Sequence, residues 1–320
     1  MNRAPTDPPS VSVIVPVRDG ASTIADCLDA ILANDYPEDR REILAVDNGS
    51  TDTTADLIRA RPVRYLHEPS RGVSRARNRG IAESHGEVLA FVDADCIVEP
   101  QWLTELVRPF ADPEVGAVAG DLQHTEAHTA AERQAVRQLG DWQRFSFTSD
   151  PPYPITANAA YRRDVLERIG GFDPRMTRAQ DVELGLRFHE RTNLRLAFAE
   201  RATARHRNRS TQWGFFRQQL GWAYGAGLVG AKYEAMGGDP VQAPGARGMA
   251  RTARGLAIVV WARLRGRGQQ QWTEDAWFDL MRQLAWWIGP RAGLWRGKRI
   301  WTASPSDRGR KRPPHTTAQG

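Results

Sequence analysis

Hydrophobic positions in the first hundred residues alternate between two spacings. Four apolar runs have the length and the β-branched content of strands: VSVIVPV (11–17), EILAV (42–46), PVRYL (62–66) and EVLAFV (87–92). Apolar residues at helical spacing follow the first run, and helices are expected to begin near Asp52, Val73 and Pro100 after the other three. This rhythm predicts an α/β fold with a mostly parallel, Rossmann-like sheet flanked by helices.

In sheets of this kind, ligands bind beyond the carboxyl ends of the strands. The loops 17–20, 47–52 and 93–96 should therefore open onto one crevice. Further along the chain the rhythm weakens, and residues 123–140 are expected to form a polar helix that leads into a Pro-rich loop at 150–154. We interpret that stretch as a surface loop or a lid.

Composition and charge change along the chain. The predicted parts are a flexible N-terminus at 1–9, an α/β domain at 10–210, a helical Trp- and Arg-rich extension at 211–303 and a disordered basic tail at 304–320. Residues 1–200 contain 23 basic and 32 acidic residues, whereas residues 201–320 contain 21 and 6. An anionic partner is therefore expected at the C-terminal third.

The two cysteines of the 320-residue chain, Cys27 and Cys96, lie in no CxxC or metal-ligand spacing. A disulfide framework and a cysteine zinc site are therefore not expected, which is typical of a reducing cytosol. The N-terminal residues lack the apolar run of a signal peptide, and no apolar stretch approaches the roughly 20 residues that span a bilayer. We expect a cytoplasmic chain, either free or peripheral on the inner face of the cell membrane.

Two acidic residues, Asp93 and Asp95, follow the fourth predicted strand. Because side chains alternate along a strand, positions i and i+2 should face one spot at the edge of the sheet. Paired carboxylates suit a divalent cation, Mg²⁺ or Mn²⁺, which completes its coordination with phosphate oxygens and water. A solvated Asp-rich turn is the alternative for this motif taken alone.

Asp47 ends the second predicted strand, where its carboxylate could accept hydrogen bonds from a nucleobase or a ribose. The residues that follow it, NGSTD, could equally form a turn and a helix cap at Ser50 or Thr51.

Basic residues cluster where the third predicted helix begins. Three arginines recur there at a spacing of four, Arg71, Arg75 and Arg79, and Asn78 lies beside them. Arginines at a helix start could bind an anionic diphosphate. A solvated basic helix face is the alternative.

Six segments of the chain together resemble a known family: VSVIVPVRDG, VDNGSTD, GVSRARNRGI, FVDADC, ITANAAYRRDVLERIGGFDP and QDVELGLR. In order and spacing they are similar to family 2 glycosyltransferases with the GT-A fold, over roughly residues 10–210. The resemblance implies transfer of a sugar from a nucleotide diphosphate donor to an acceptor hydroxyl, with inversion at the anomeric carbon. The acceptor would be a glycan, a lipid-linked hydroxyl or a small-molecule hydroxyl, in glycan, glycolipid or cell-envelope synthesis.

The resemblance also implies roles for particular residues. The nucleoside would be held at the ends of the first two strands by Pro16, Val17, Arg18 and Asp47. Asp93 would approach the ribose and the metal, and Asp95 would bind the metal directly. His206 matches a histidine after the last core strand that would approach the metal or the diphosphate. A structural or solvated histidine is the alternative for that position.

The family places its catalytic base in an acidic pair that opens a later helix, and this chain has Gln180 and Asp181 there. The resemblance therefore implies that Asp181 acts alone as the base. A single displacement needs one base for the proton of the acceptor hydroxyl and one electrophile for the departing diphosphate. Taken by itself, an Asp at a helix start could be only a cap.

Nine of the 11 tryptophans lie between positions 213 and 301. One apolar stripe at helical spacing comprises Trp277, Met281, Leu284 and Ile288. Beyond it lies a second group of tryptophans and cations: Trp286, Trp287, Trp295, Trp301, Arg291, Arg296, Lys298 and Arg299. Helices of this composition favour an anionic membrane surface. The stripe could equally pack on the α/β domain while its cations are solvated. The region contains no recognised nucleic-acid motif, so we expect no nucleic-acid partner.

Three alternative functions share parts of this pattern. A GT-A-like nucleotidyltransferase or a retaining glycosyltransferase would have the same sheet and carboxylates but should lack a base at position 181. A non-catalytic, basic, membrane-associated protein with a vestigial sugar-nucleotide fold is the third.

Overall fold

The computed structural model describes residues 8–236 and 270–301. The chain divides into two compact units, which meet in sequence at Ser210 and Thr211. The expected flexible N-terminus and disordered tail lie outside the described residues, apart from Pro8 and Pro9. The carbonyl oxygen of Pro9 accepts a hydrogen bond from the Tyr36 hydroxyl.

The first unit contains eight strands. They are β1 Val11–Val17, β2 Arg41–Asp47, β3 Arg64–His67, β4 Val88–Val92, β5 Cys96–Val98, β6 Val115–His124, β7 Asn158–Arg162 and β8 Arg195–His206. They form one sheet in the order β3-β2-β1-β4-β7-β6-β8-β5. The first four strands in that order are parallel, β7 runs antiparallel to both of its neighbours, and β8 pairs in parallel with β6.

Helices flank this mixed sheet. They are α1 Ile24–Leu32, α2 Thr54–Arg59, α3 Val73–Glu83, α4 Trp102–Val107, α5 Ala130–Leu139, α6 Trp142–Phe147, α7 Arg163–Ile169 and α8 Gln180–Arg191. Side chains along β1 point alternately into two different apolar clusters. Val13 and Val15 belong to one cluster, and Ile14 belongs to the other. Both faces of the sheet are therefore covered, and the predicted α/β architecture is confirmed.

The middle of the unit differs from the sequence prediction. The polar helix expected at 123–140 was wrong at its start, because β6 continues to His124 and α5 begins only at Ala130. A capping box between Thr129 and Glu132 fixes that start. The small residues of β6 are buried on both faces, so the strand lacks the alternation that marks a half-buried strand. Strand β5 has three residues and was not predicted.

Asn158 at the start of β7 ties this part of the sheet together. Its side-chain oxygen accepts a hydrogen bond from the Trp102 indole at 2.7 Å. Its side-chain nitrogen donates to the carbonyl oxygens of Asp121 and Ala202, each at 2.7 Å. The side chain is fully buried and its amide atoms are in use, so Asn158 supports the fold from within a strand.

The second unit contains two described helices, α9 Gln212–Ala235 and α10 Gln270–Trp301. Their backbones approach closely at glycines. A Cβ atom at Gly293 would lie 2.1 Å from the carbonyl oxygen of Tyr224, and one at Gly227 would lie 2.2 Å from the carbonyl oxygen of Pro290. Close packing of this kind requires residues without a side chain.

The predicted apolar stripe on α10 was placed on the wrong face. Met281 is buried, but Trp277 and Leu284 are half-buried and Ile288 is 42% exposed. The buried face instead includes Phe278, Met281, Ala285, Gly289, Gly293, Gly297 and Trp301, and Leu280, Pro290 and Leu294 are buried as well. Glycines do not register as apolar positions in a sequence pattern, which explains the error. No helix in 8–236 or 270–301 combines the length and apolar character needed to cross a bilayer.

Candidate active site

The loops after β1 and β2 are joined into one wall at the carboxyl edge of the sheet. Asp19 accepts a hydrogen bond from the Thr51 backbone at 2.8 Å, and its own backbone N–H donates to the Ser50 hydroxyl at 2.9 Å. Gly20 donates to the Thr54 hydroxyl at 2.9 Å. Ser50 and Thr51 therefore join the two loops and do not cap α2, which begins at Thr54.

The expected nucleoside-binding residues lie along this wall. Pro16 and Val17 are buried at the end of β1, and Arg18 is exposed just beyond it. Val17 pairs in register with Asp47, so both strands end at the same level. The sequence prediction that the first two loops meet at one edge is thus matched by the geometry.

Asp47 is almost fully buried and accepts hydrogen bonds from protein groups. One carboxylate oxygen accepts from the Ser50 backbone at 2.9 Å and the other from the Tyr65 hydroxyl at 3.0 Å. Burial alone would raise the pKa of Asp47, but these hydrogen bonds outweigh it and lower the pKa. The group is therefore ionised near neutral pH and holds the wall in shape.

Asp93 and Asp95 face different partners. Strand β4 ends at Val92, and the backbone N–H of Cys96 donates to the Asp93 carbonyl at 2.9 Å, which closes a turn. The strand alternation expected for the two carboxylates does not apply within a turn. Asp93 instead receives a hydrogen bond from Nη2 of Arg77 at 2.8 Å.

Asp95 lies beside His206, and the sheet explains why. Cys96 on β5 pairs in register with His206 on β8, which brings the two segments together. Nε2 of His206 lies 3.6 Å from Oδ1 of Asp95, and Nη2 of Arg209 lies 3.5 Å from Oδ2. The sequence signal for Arg209 was the basic run that follows His206, and no motif singled this arginine out.

Trp142 and two histidines pack together next to this point. The Trp142 ring contacts His206 edge to face, with centroids 5.4 Å apart, and stacks on His124 at 6.3 Å. Burial lowers the pKa of His124, so His124 is neutral near pH 7. Within the described parts of the chain, Nδ1 of His206 is buried without a hydrogen-bond partner.

The chemistry of Asp95 and His206 suits a divalent cation. Their facing atoms are too far apart for a hydrogen bond, yet carboxylate oxygen and imidazole nitrogen are both ligands of Mn²⁺-type ions. Residues 8–236 and 270–301 contain no group of three or more potential metal ligands. An ion here would therefore depend on oxygens from outside the protein, as cations bound with phosphates commonly do.

Asp181 lies in the first turn of α8. Ala179, two residues before Asp181, adopts a left-handed backbone conformation with φ of 54°. This conformation is uncommon for a residue other than glycine. Within α8, the Arg187 guanidinium donates two hydrogen bonds to the buried Glu183 carboxylate. Arg187 also donates to the Ile169 carbonyl at 2.6 Å, which attaches α8 to the end of α7.

The ionisation of Asp181 is perturbed by its surroundings. Burial raises the pKa of Asp181 against the opposing positive charge of Arg77, and the Asp93 carboxylate adds to the rise. The three charged groups therefore belong to one electrostatic cluster, although they come from α8, α3 and the turn after β4. A carboxylate with a raised pKa, close to another carboxylate in a cleft, is typical of a general base.

The remaining arginines of α3 do not enter this cluster. Arg71 and Arg75 are exposed near the start of the helix, and Arg79 pairs with Glu83 at 3.1 Å. Arg77, which the sequence analysis did not select, is the buried one.

Asn78 has a structural contact. Its amide donates to the Phe172 carbonyl at 2.7 Å and accepts from the Phe172 N–H at 2.9 Å. We therefore assign Asn78 to holding the Gly171–Phe172 turn.

Comparison with known proteins identifies the family and the fold. Residues 12–170 match the family model described as Glycosyl transferase family 2. Glycosyltransferase AglE of Haloferax volcanii is 35% identical over 182 residues, which are 54% of this chain and 59% of the relative. The probable glycosyltransferase YdaM of Bacillus subtilis is 30% identical over 245 residues, or 70% of this chain and 57% of the relative. The chain thus spans somewhat more than half the length of these two relatives.

Among solved structures, the mannosyltransferase PcManGT from Pyrobaculum calidifontis is similar in fold. It aligns with a TM-score of 0.61 at 22% identity, over 94% of this chain and 89% of that one. The fold is therefore the GT-A fold. The chain belongs to glycosyl transferase family 2.

Proposed function

We propose that this chain is an inverting glycosyltransferase, which moves a sugar from a nucleotide diphosphate donor to an acceptor hydroxyl. The observation that supports it best is Asp181, a single carboxylate with a raised pKa beside Arg77 and Asp93. In a single displacement, Asp181 accepts the proton of the acceptor hydroxyl while that oxygen attacks the anomeric carbon. A raised pKa makes the carboxylate a stronger base than an ordinary Asp.

The donor would lie across the carboxyl edge of the sheet. The nucleoside end would contact the wall formed by Pro16, Val17, Arg18 and the loop held by Asp47. The diphosphate would lie near Asp93 and Asp95, within reach of the exposed cations of Arg71, Arg75 and Arg209. The structure of PcManGT was solved in complex with GDP-Man and Mn²⁺, which supports a nucleotide sugar and a divalent cation here as well.

A divalent cation, Mg²⁺ or Mn²⁺, would be held by Asp95 and His206, with Asp93 nearby. When bound, it would supply positive charge that stabilises the departing diphosphate. The protein's own contribution at this point is to orient His206 against Trp142.

A ligand-binding screen tests the proposal. Thermal unfolding would be followed with UDP-, GDP- and dTDP-sugars in the presence of Mn²⁺ or Mg²⁺, because a ligand bound only to the folded state raises the midpoint. NMR of the product would then give the anomeric configuration. Retention would favour a retaining glycosyltransferase. Release of pyrophosphate from a nucleoside triphosphate and a sugar 1-phosphate would favour a nucleotidyltransferase, and absence of any shift would favour a non-catalytic protein.

We propose that the acceptor is presented at the cytoplasmic face of an anionic membrane and that α10 contacts that surface. Three features of α10 support this. Ile288 and Trp295 are 42% and 64% exposed, and positions 288 and 295 lie two turns apart on one side of the helix. Arg299 continues this side and stacks on the Trp295 ring at 4.8 Å. Exposed aromatic and cationic side chains on one helix face favour anionic headgroups.

The other tryptophans of the predicted second group lie elsewhere on α10, and Trp301 is buried. Trp286 donates a hydrogen bond to Gln219 at 3.3 Å, and Trp287 packs under the Arg291 guanidinium at 4.4 Å. The predicted group of Trp286, Trp287 and Trp295 therefore does not share one face, and the proposed contact is restricted to the side with Trp295.

Sedimentation with liposomes tests this contact. Full-length protein should bind vesicles that contain anionic lipid at low salt and detach as salt rises, because screening weakens the electrostatic part. Trp295→Ser should bind less, whereas Trp213→Ser, which removes an equally exposed tryptophan from α9, should bind as the unmodified protein does. Equal loss from both variants, or no binding to anionic vesicles, would contradict the proposal and favour a soluble acceptor.

A further inference from the structure

The segment between α6 and β7 lies along helix α8. His189 donates from Nε2 to the Pro152 carbonyl at 2.8 Å, which anchors the segment to the helix. Asp181, Gly185 and His189 are spaced by four residues and therefore share one face of α8. The segment is thus held along the same face that presents the proposed base.

Tyr153 is seated on this face by a glycine. A Cβ atom at Gly185 would lie 2.4 Å from the Tyr153 Cβ and 3.6 Å from its Cγ. Any side chain at position 185 would displace the tyrosine. The missing side chain therefore lets the Tyr153 ring lie one helical turn from Asp181.

The Tyr153 hydroxyl is available for a ligand. The residue is half-buried, and its hydroxyl makes no hydrogen bond to any of the described residues. Burial and the Asp181 carboxylate raise the pKa of Tyr153 to about 12, so the phenol is a neutral hydrogen-bond donor at physiological pH. Tyr161 is also affected by Asp181, but it is fully buried and cannot meet a substrate.

Tyr153 and the Arg77–Asp93 pair approach the proposed base from different elements. Asp93 pairs with Arg77 of α3 at 2.8 Å, whereas Tyr153 packs on Gly185, one turn along α8 from Asp181. The proposed donor diphosphate lies near Asp93, so a second substrate that reaches Asp181 along α8 would meet Tyr153.

We propose that Tyr153 forms part of the acceptor subsite, with its ring against the acceptor and its hydroxyl donating to an acceptor oxygen next to the hydroxyl that Asp181 deprotonates. The ligand class is a sugar or another polyol, because the contact needs one apolar face and one hydroxyl or ring oxygen. This assignment rests on the proposed glycosyltransferase function. It adds to that function a residue that selects the acceptor.

Steady-state kinetics with a defined acceptor panel tests the assignment. The donor would be the nucleotide sugar with the largest thermal shift, and the acceptors would be octyl glucosides, galactosides and mannosides. Tyr153→Phe should raise the acceptor KM roughly 2- to 12-fold, the loss expected for one hydrogen bond to a ligand. The donor KM and the rate of donor hydrolysis by water should stay unchanged.

Two further variants sharpen the test. Gly185→Ala should raise the acceptor KM without removing the hydroxyl, because its methyl group displaces the Tyr153 ring. Tyr161→Phe is the matched control, since it removes a hydroxyl that is near Asp181 but inaccessible, and should leave the acceptor KM unchanged.

Each outcome decides a different point. An unchanged acceptor KM in Tyr153→Phe, or a rise in the donor KM instead, would overturn the acceptor assignment while leaving the glycosyltransferase intact. An unmodified protein that transfers sugar to no acceptor and hydrolyses no donor would overturn the proposed function and the assignment together.

Discussion

Arg77 and Asp93 form a close pair within the candidate active site, with Nη2 of the arginine 2.8 Å from Oδ1 of the aspartate. The guanidinium is almost fully buried and lies over the Phe172 ring at 5.3 Å. The same cation opposes the rise in the pKa of Asp181. One arginine therefore balances the charge of two carboxylates, and this balance sets the ionisation of the proposed base.

The pH dependence of sugar transfer should report this balance. Asp181 must be ionised to accept a proton, so activity should fall as pH drops through a pKa higher than the 3.8 of an unperturbed Asp. Arg77→Met removes the opposing cation and should move this acid limb to higher pH, whereas Arg77→Lys should move it less. The shift is measured from kcat as a function of pH for the unmodified protein and the two variants. Acid limbs that coincide in all three proteins would contradict the prediction.

Asp181→Asn should separate binding from chemistry. Donor affinity should stay nearly unchanged, while transfer should fall by at least roughly 10²-fold, the lower end of what a general base contributes. The folded state favours the protonated form of this carboxyl, so its stabilising effect is lost as pH rises through the raised pKa. The variant should therefore unfold at the same or a higher temperature at pH 7.

Asp164→Asn is the matched control for that variant. It also changes an aspartate in the first turn of a helix, but in α7 and with an exposed side chain. It should transfer sugar at the unmodified rate. Equal rates for both variants would reduce Asp181 to a helix-capping residue.

Asp95→Asn should weaken metal-dependent donor binding. The substitution removes negative charge from the position that faces His206 and Arg209. Calorimetry with nucleotide diphosphate and Mn²⁺ should show lower affinity, with little change when Mn²⁺ is omitted. Asp141→Asn, a surface carboxylate paired with Arg144 at 3.2 Å, should behave like the unmodified protein. Mn²⁺-dependent affinity that is the same in all three proteins would remove Asp95 from the metal site.

Asn158→Ala should destabilise the first unit. The change leaves the Trp102 indole and two buried carbonyl oxygens without their partner. We expect the free energy of unfolding to fall by about 3 kcal/mol or more, since each unsatisfied buried group costs about 1–3 kcal/mol. Urea unfolding measures this, and a change below about 1 kcal/mol would show that the network relaxes.

Gly293→Ala should destabilise the second unit. The added methyl group would lie 2.1 Å from the Tyr224 carbonyl oxygen and 2.9 Å from the Leu228 nitrogen, both backbone atoms that cannot move independently. Tryptophan fluorescence during unfolding should report this unit well, because nine of the 11 tryptophans lie between 213 and 301. Ala292→Ser changes the exposed neighbour and should have no effect. A midpoint that is unchanged in Gly293→Ala would mean that the helices separate at little cost.

The first half of the sheet could be predicted because its signals are local. Strands β1 to β4 are short apolar runs, and the helices after them begin within two residues of the predicted starts at Asp52, Val73 and Pro100. The antiparallel strand β7 and the short strand β5 could not be predicted, since pairing with distant β6 and β8 defines them. Local periodicity contains no information about such partners.

The candidate site shows the same limit. The acidic positions Asp93, Asp95 and Asp181 were found from motifs, and their partners were not. The spacing of four residues pointed to Arg71, Arg75 and Arg79. The arginine that contacts the turn after β4 is instead the one on the buried face of α3, which is Arg77. Tyr153 belongs to no motif. The position proposed for it next to Asp181 depends on the lack of a side chain at Gly185, which lies 32 residues further along the chain.

The hydrogen bonds that join the loops after β1 and β2 restrict how donor preference can evolve. Asp19 is bound to both Ser50 and Thr51, so a substitution that reshapes one loop also disturbs the other. Variants selected in the laboratory for a different nucleotide should therefore acquire paired changes at 18–20 and 50–54. Libraries that randomise both segments together should yield switched enzymes more often than libraries that randomise either one alone.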